Sequence, residues 1–319
     1  MEYQKFLILI TFMCASIFIF IFRKLNQNQK SSKLPPGPYP FPIIGNILEL
    51  GKNPHKALTK LSQIYGPIMT LKLGAITTIV ISSPQLAKQA LLENSQFFSS
   101  RTVPHALCAL DHDQVSIGFT PSLALWKKLR KICATNVFST KMLDLTKILN
   151  QQKLQELLDY VNEKSKKCEV FDIGEIVFTT VLNSISNILF SMDLTHLTPN
   201  EKSQEFKNII WGIMEESGKP NVSDFFPILR HLDLQRAQAR MASHLKKVYE
   251  IFDGIIEERI SSRNSKGDYE VWNDVLDSVL HTNNLGETTS ELSRNEMLHL
   301  FQVNIIFSIF EFHKLYSVI

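Results

Sequence analysis

Trp126 and Arg130 stand four residues apart in LWKKLRK, so on a helix both side chains leave the same face. An indole N–H and a guanidinium only donate hydrogen bonds, and together they suit an anionic carboxylate. The alternative is a buried Trp beside an ordinary surface Arg. Lys127, Lys128 and Lys131 join Arg130 in making the stretch strongly basic, a pattern that is ordinarily a solvated face. Other groupings invite chemistry and do not sustain it. His105 and His112 lie in HALCALDHD with Asp111 and Asp113, but neither histidine has the spaced second pair of a zinc site. The acid and two threonines of GETTS, Gly286–Ser290, sit among Thr282, Asn283, Asn284 and Ser293 and read as a polar loop. Cys14, Cys108, Cys133 and Cys168 match neither a zinc pattern nor a disulfide framework.

The elements that must position these residues are mostly helical. Asn53-Pro54 opens a helix that stops before Gly66-Pro67. Ile68–Leu73 and Ile76–Ser82 are β-rich runs around Gly74, a hairpin pattern. Ser83-Pro84 starts a short helix through Leu92. No period holds from Phe97 to Pro121, which predicts a long loop. Helical periodicity then covers Leu123–Val137, Met142–Lys166, Phe171–Phe190, Ser203–Ser217, Gln235–Arg263 and Val271–Thr282. One small sheet followed by many helices is an α+β arrangement, mainly α-helical.

The N-terminus has its own logic. Phe6–Phe22 is an apolar run of 17 residues, broken by Thr11 and Ser16. As a helix it rises about 25 Å, near the lower limit for crossing a bilayer. Arg23, Lys24, Lys30 and Lys33 follow it and only Lys5 precedes it, which places the bulk of the chain on the cytoplasmic side. The sequon Asn221-Val222-Ser223 is then expected to stay unglycosylated. Pro35, Pro36, Pro38, Pro40 and Pro42 favour an extended, semi-rigid spacer. Across all 319 residues, 44% are hydrophobic and 20% charged, as in ordinary globular proteins. A net charge of +3, without basic stripes interleaved with aromatics, argues against nucleic acid as a partner.

The order of anchor, basic patch, PPGP and PIIGN resembles the start of microsomal cytochrome P-450 monooxygenases, the haem-thiolate enzymes of the endoplasmic reticulum. KLSQIYGPIMTLKLG (Lys60–Gly74), FFSSR (Phe97–Arg101) and WKKLRKICATNVFS (Trp126–Ser139) carry the likeness onward. IMEESGKPNVSDFFPILRHLDLQ (Ile213–Gln235) resembles the plant subfamily of geraniol hydroxylases and related monoterpenoid oxidases. The resemblance implies the N-terminal part of that fold, with residues 1–24 as anchor, 25–46 as hinge and 47–301 as a partial domain of the family. It implies haem as cofactor, with Trp126, Arg130 and Arg101 holding the propionates. Lys127, Lys128 and Lys131 would meet an NADPH-dependent reductase. The segment His105–Gly118 and the region Ile213–Phe226 would line the pocket of a small apolar substrate, with Leu107, Leu110, Val115 and Ile117 in contact. For each of these four, core packing is the competing explanation.

The resemblance ends at Phe301. The oxygen-activating motif, the Glu-x-x-Arg helix and the cysteine loop of the family do not follow, and residues 302–319 read as a tail outside its pattern. None of the four cysteines suits the axial thiolate. The expectation is a chain that is inactive by itself. A membrane-anchored remnant that occupies the reductase is the alternative. The region Phe171–Phe190 is expected to keep an uncovered apolar face.

Overall fold

The computed structural model describes residue 13 and residues 34–197, 201–265, 274–284 and 292–316. The expected anchor helix and the GETTS stretch lie outside these, except for Met13. The chain divides into two compact units, one reaching to Ser99 and taking in Phe225–Ile228, the other formed by Ser100–Asp224 and Leu229–Ile319.

In the first unit, helix α1 (Pro54–Tyr65) begins with Pro at N1 and precedes an antiparallel hairpin of β1 (Ile68–Leu73) and β2 (Ile76–Ile81). Leu73 pairs with Ile76, which leaves the two-residue turn Gly74-Ala75, with Gly74 at φ 60°. Met69 and Leu71 point inward from β1 and are fully buried. From Pro36 onward the proline-rich segment is not a free spacer. Thr70 N–H donates to Pro36 O at 2.9 Å, Gly74 N–H to Ile44 O at 3.1 Å, and Lys72 N–H to the Asn46 side chain at 2.8 Å. The segment is thus laid along the edge of β1, which is how an exposed strand edge is closed. Gly37 is required there, because a Cβ would run into Thr70 O.

The second unit is helical: α2 (Leu123–Ile132), α3 (Thr140–Lys166), α4 (Ile173–Phe190), α5 (Glu201–Gly218), α6 (Ala237–Ser265), α7 (Val275–Asn284) and α8 (Arg294–Tyr316). Side chains mark several starts. Ser122 Oγ accepts from Leu125 N–H at 3.3 Å, Ser139 Oγ from Met142 N–H at 3.3 Å, and Asp172 from Gly174 and Glu175 N–H at 2.8 and 3.2 Å. The stretch Phe97–Pro121, predicted as a loop, instead holds two short helical segments, the 3₁₀ segment His105–Asp111 and His112–Val115, and opens on the last residues of the turn Ser95–Phe98 of the first unit. Each is too short to show a period in sequence, and Leu110 and Asp111 at φ 53° and 56° break the run.

The core gathers where α4, α6 and α8 meet. The Phe190 ring lies 5.4 Å from Phe252 and 5.1 Å from Phe301, the latter edge-on, and all three are fully buried. Behind them Arg259, 6% exposed, binds both oxygens of Asp274 at 3.1 and 2.9 Å and donates to Phe190 O at 2.8 Å. Helix α8 crosses residue 301 without a break. Met297, Phe301, Ile305 and Ile309 recur every four residues and are all buried, so the inner stripe continues into the expected tail. Helix α4 is the one described helix apolar and long enough to cross a membrane, but Ile176, Leu182, Leu189 and Phe190 on its inner face are core. Its other side is partly uncovered. A groove of about 330 Å³ runs past Val177, Phe178, Trp211 and Ile309, with Phe178 and Trp211 edge to face at 6.4 Å.

Candidate functional site

Helix α2 brings Trp126 and Arg130 together as the spacing demands. The guanidinium carbon lies 5.2 Å from the indole centroid, a cation–π contact. Trp126 is half-buried and Arg130 exposed. Among the described residues no carboxylate pairs with Arg130 and no acceptor meets the indole N–H. The inner face of the same helix is held by Leu129 and Ile132, buried at 1% and 5% exposure, so the donor pair projects from a fixed base. Arg101 is also exposed, and its Nη1 donates to Gly118 O at 2.8 Å, leaving its other N–H groups available. The basic residues separate. Lys127 and Lys131 are exposed, whereas Lys128 donates to Glu296 at the start of α8 at 2.9 Å. Burial works against the Glu296 charge, but the Lys128 hydrogen bond and charge together with the Ser293 hydrogen bonds outweigh it and hold the carboxyl below its usual range.

These donors fit the carboxylate edge of a haem. Burial pushes the Cys133 thiol up, against the Asn304 hydrogen bond, and burial with the Asp113 charge pushes the Cys108 thiol up. Cys168 is exposed just beyond the end of α3, and Cys14 lies outside the described residues. Among the described residues, no group of three His, Cys, Asp or Glu side chains is placed to hold a metal ion.

The four expected substrate contacts divide. Leu107 is buried in the core, Leu110 is 45% exposed on its left-handed backbone, and Val115 and Ile117 are half-buried, Ile117 packing on the core cluster.

Two features of the same segment escape sequence reasoning. In the first, His112 Nδ1 lies 2.9 Å from His299 Nδ1 on α8, and Tyr249 Oη of α6 lies 2.8 Å from the same nitrogen. Both imidazoles are buried, at 2% and 0% exposure. Burial, with His299 adding, holds the His112 pKa down to about 3, and burial holds His299 down to about 4, so both are neutral at pH 7. Burial raises the Tyr249 hydroxyl, which stays protonated. The single in-plane position of His299 Nδ1 is shared by two neighbours, which a neutral pair tolerates and a doubly protonated pair does not.

The second feature is a polar corner where His105 meets the turn 221–224. His105 N–H donates to Asp224 Oδ1 at 2.6 Å, and Ser223 N–H donates to Asn221 Oδ1 at 3.1 Å. Asn221 and Ser223 are 3% and 0% exposed, so the sequon is turned into the fold, a local reason for it to stay unmodified that does not depend on membrane side. The sequence signals for these features were the histidines of HALCALDHD and the sequon Asn221-Val222-Ser223, neither of which named its partner.

The sequence model of the cytochrome P450 family matches residues 35–306. The chain is 44% identical over 271 residues to cytochrome P450 76T24 of Catharanthus roseus, covering 85% of this chain and 54% of that one. It is 44% identical over 270 residues to the geraniol 8-hydroxylase of the same plant, with the same two shares. It is 41% identical over 282 residues to a Beta vulgaris protein named inactive cytochrome P450 76AD1, covering 88% of this chain and 66% of that one. The chain thus spans a little over half the length of the first two relatives.

Proposed function

The chain belongs to the cytochrome P450 family, whose cofactor is haem, and from that premise we propose that it carries the propionate-binding, substrate-lining and reductase-facing parts of a plant monooxygenase acting on a small, apolar, terpenoid-type molecule. Haem bound through a thiolate supplies the activation of O₂ in such enzymes. The work of these residues is binding and positioning. Trp126 and Arg130 hold the haem carboxylates, with Arg101 as a third donor. Val115 and Ile117, with Leu107 and Leu110 at the edges, shape the apolar wall. Lys127 and Lys131 form the charged face that an acidic reductase meets, with Lys128 contributing when it exchanges Glu296 for the partner. In this reading Phe6–Phe22 anchors the chain in the endoplasmic reticulum membrane, with the body in the cytosol. The geraniol 8-hydroxylase name of one relative supports a monoterpenoid as substrate.

The observation that carries the reading is the Trp126–Arg130 pair, held on a buried base and with no carboxylate partner among the described residues. A haem titration followed by tryptophan quenching tests it. Arg130→Ala with Trp126→Phe should weaken binding by about tenfold, the scale of one charge-assisted contact. Unchanged affinity in that double variant would sink the assignment.

A second reading follows from the sequence: none of Cys14, Cys108, Cys133 and Cys168 stands in the cysteine loop that the family resemblance leads one to expect around the iron, so in this reading these 319 residues by themselves are catalytically silent and act as a membrane-bound partner for the reductase. The name of the inactive Beta vulgaris relative points the same way. A thiolate-type band in the reduced carbon monoxide difference spectrum of this chain would overturn it. Salt-dependent capture of the reductase, lost in Lys127→Glu with Lys131→Glu, is the expected result under both readings.

A further inference from the structure

Residues 112–117 hang on one polar contact. The His112 ring reaches His299 of α8, Nδ1 to Nδ1 at 2.9 Å, with Tyr249 Oη of α6 2.8 Å from the same His299 nitrogen. Every other hydrogen bond these residues make among the described ones is local. His112 N–H donates to Ala109 O, Ser116 N–H to His112 O at 3.0 Å and Gln114 to Asp113 at 2.6 Å, while Ser116 accepts from Gly118, Phe119 and Thr120. The stretch just before is held quite differently. Arg230 donates to Val103 O at 3.2 Å, His105 N–H to Asp224 at 2.6 Å, and Gln238 to Cys108 O at 3.2 Å. Between the tied and the hanging stretch stand Leu110 and Asp111, at φ 53° and 56°. Left-handed backbone is unfavourable for both, most of all for Leu110, and persists only where the surroundings impose it. The strain sits where a hinge would be.

The contact tolerates only uncharged rings. In a neutral pair one Nδ1 donates to the other. With both rings protonated, two N–H groups face each other across 2.9 Å. His299 Nε2 then also carries a hydrogen, and that atom is buried with no partner to accept it; a neutral ring can leave it bare. Few charges lie near enough to help. Tyr249 stays protonated, His299 opposes a charge on His112, and among the described residues Asp111, itself in the hinge, favours one on His299.

We propose that His112, His299 and Tyr249 form an acid-released clasp: once both imidazoles are charged, residues 112–117 swing away from α8 about Leu110 and Asp111 while the rest of the second unit stays folded. The rings regain water and the left-handed pair relaxes. Ile117, which packs on the core cluster, is uncovered, and so is half-buried Val115. The clasp does not rest on the proposed function. Where that reading holds, it decides when the wall formed by these two side chains is open.

Hydrogen exchange of the full chain, followed by mass spectrometry from pH 7 to pH 5 and corrected for intrinsic exchange rates, tests this. Four residues have no helical stability apart from their packing, so release also frees the Ser116 amide from His112 O. Imidazoles held at about 3 and about 4 in the closed clasp return toward 6.5 in the released segment, so release takes up close to two protons below pH 6. The opening constant of the 112–117 peptide should rise about fiftyfold from pH 6 to pH 5, with the amides of α6 around Phe252 more protected at every pH. Either His112→Phe or His299→Phe should cut the rise to about sevenfold, and the double variant should abolish it. A wild-type opening constant that does not change with pH, or one equal to that of α6, overturns the proposal, because the segment then opens without the imidazoles or only when the whole unit unfolds. A fiftyfold rise retained in the double variant overturns it too. The wild-type result decides even where a variant does not fold. Neither haem nor reductase enters the measurement, so its failure leaves the proposed function as it stands.

Discussion

The outward face of α2 and the inward face of α8 use similar side chains to opposite ends. Each presents an aromatic, nitrogen-rich side chains and a helical spacing. On α2, Trp126 and Arg130 touch each other and keep their N–H groups available. On α8, Phe301 is locked edge-on against Phe190, and His299 commits its Nδ1 to His112 and Tyr249. The residues proposed to receive a ligand are supported from behind by Leu129 and Ile132 and left uncommitted in front. Residues that must hold the fold are consumed by it. The Lys128–Glu296 pair joins the two helices and is the one basic side chain of α2 seen to be spent in this way.

Breaking the inward face should have the largest effect. Phe301→Ala removes a ring packed on Phe190 and should cost about 3–5 kcal/mol in chemical unfolding, while leaving the α2 face chemically intact. A loss under about 1 kcal/mol would show that α8 is not integral to the core.

Acid should come next. The folded-state pKa values of His112 and His299, about 3 and about 4, lie below the unfolded value near 6.5. The unfolded chain therefore takes up protons first as pH falls. Stability is fully present above pH 6.5 and declines below it, with the loss complete only beneath the folded values. On the order of 1–2 kcal/mol per imidazole should be lost between pH 7 and pH 5, read from denaturant midpoints. In His112→Phe the dependence should flatten; an identical slope would mean the imidazoles are not buried neutral.

The link between the faces is worth less. Glu296→Gln removes the charge partner of a partly exposed Lys128 and should cost about 0.5–1 kcal/mol, falling with added salt. It should also free Lys128 and strengthen reductase capture. Smallest of all, Lys127→Glu with Lys131→Glu should leave the thermal midpoint unchanged while abolishing that capture.

Most helices of the second unit were legible because their apolar period is long; Thr140–Lys166 and Ala237–Ser265 differ from expectation by two residues at each shifted end, whereas α8, running on from Arg294 through the expected tail to Tyr316, was not among the helices read from the sequence. The contact between Trp126 and Arg130 was legible because both lie on one face of a helix, one turn apart. The turns between Phe97 and Pro121 were not, since four to seven residues carry no period. The two buried polar clusters were illegible for a different reason. His112 meets His299 across 187 positions and His105 meets Asp224 across 119, and no local pattern encodes such partners. The proline-rich segment showed its stiffness in sequence but not its docking along β1, which depends on backbone hydrogen bonds.

The meeting of Phe190, Phe252 and Phe301 also sets a timetable. Phe190 and Phe301 are 111 positions apart in the chain. At ribosomal speeds of 5–20 residues per second, roughly 5–20 s pass between the synthesis of one and the arrival of the other. Through that interval the inner faces of α4 and α6 have no third ring to close them. Until α8 emerges, the apolar inner faces of α4 and α6 are incomplete, and closing them is the last step of core assembly.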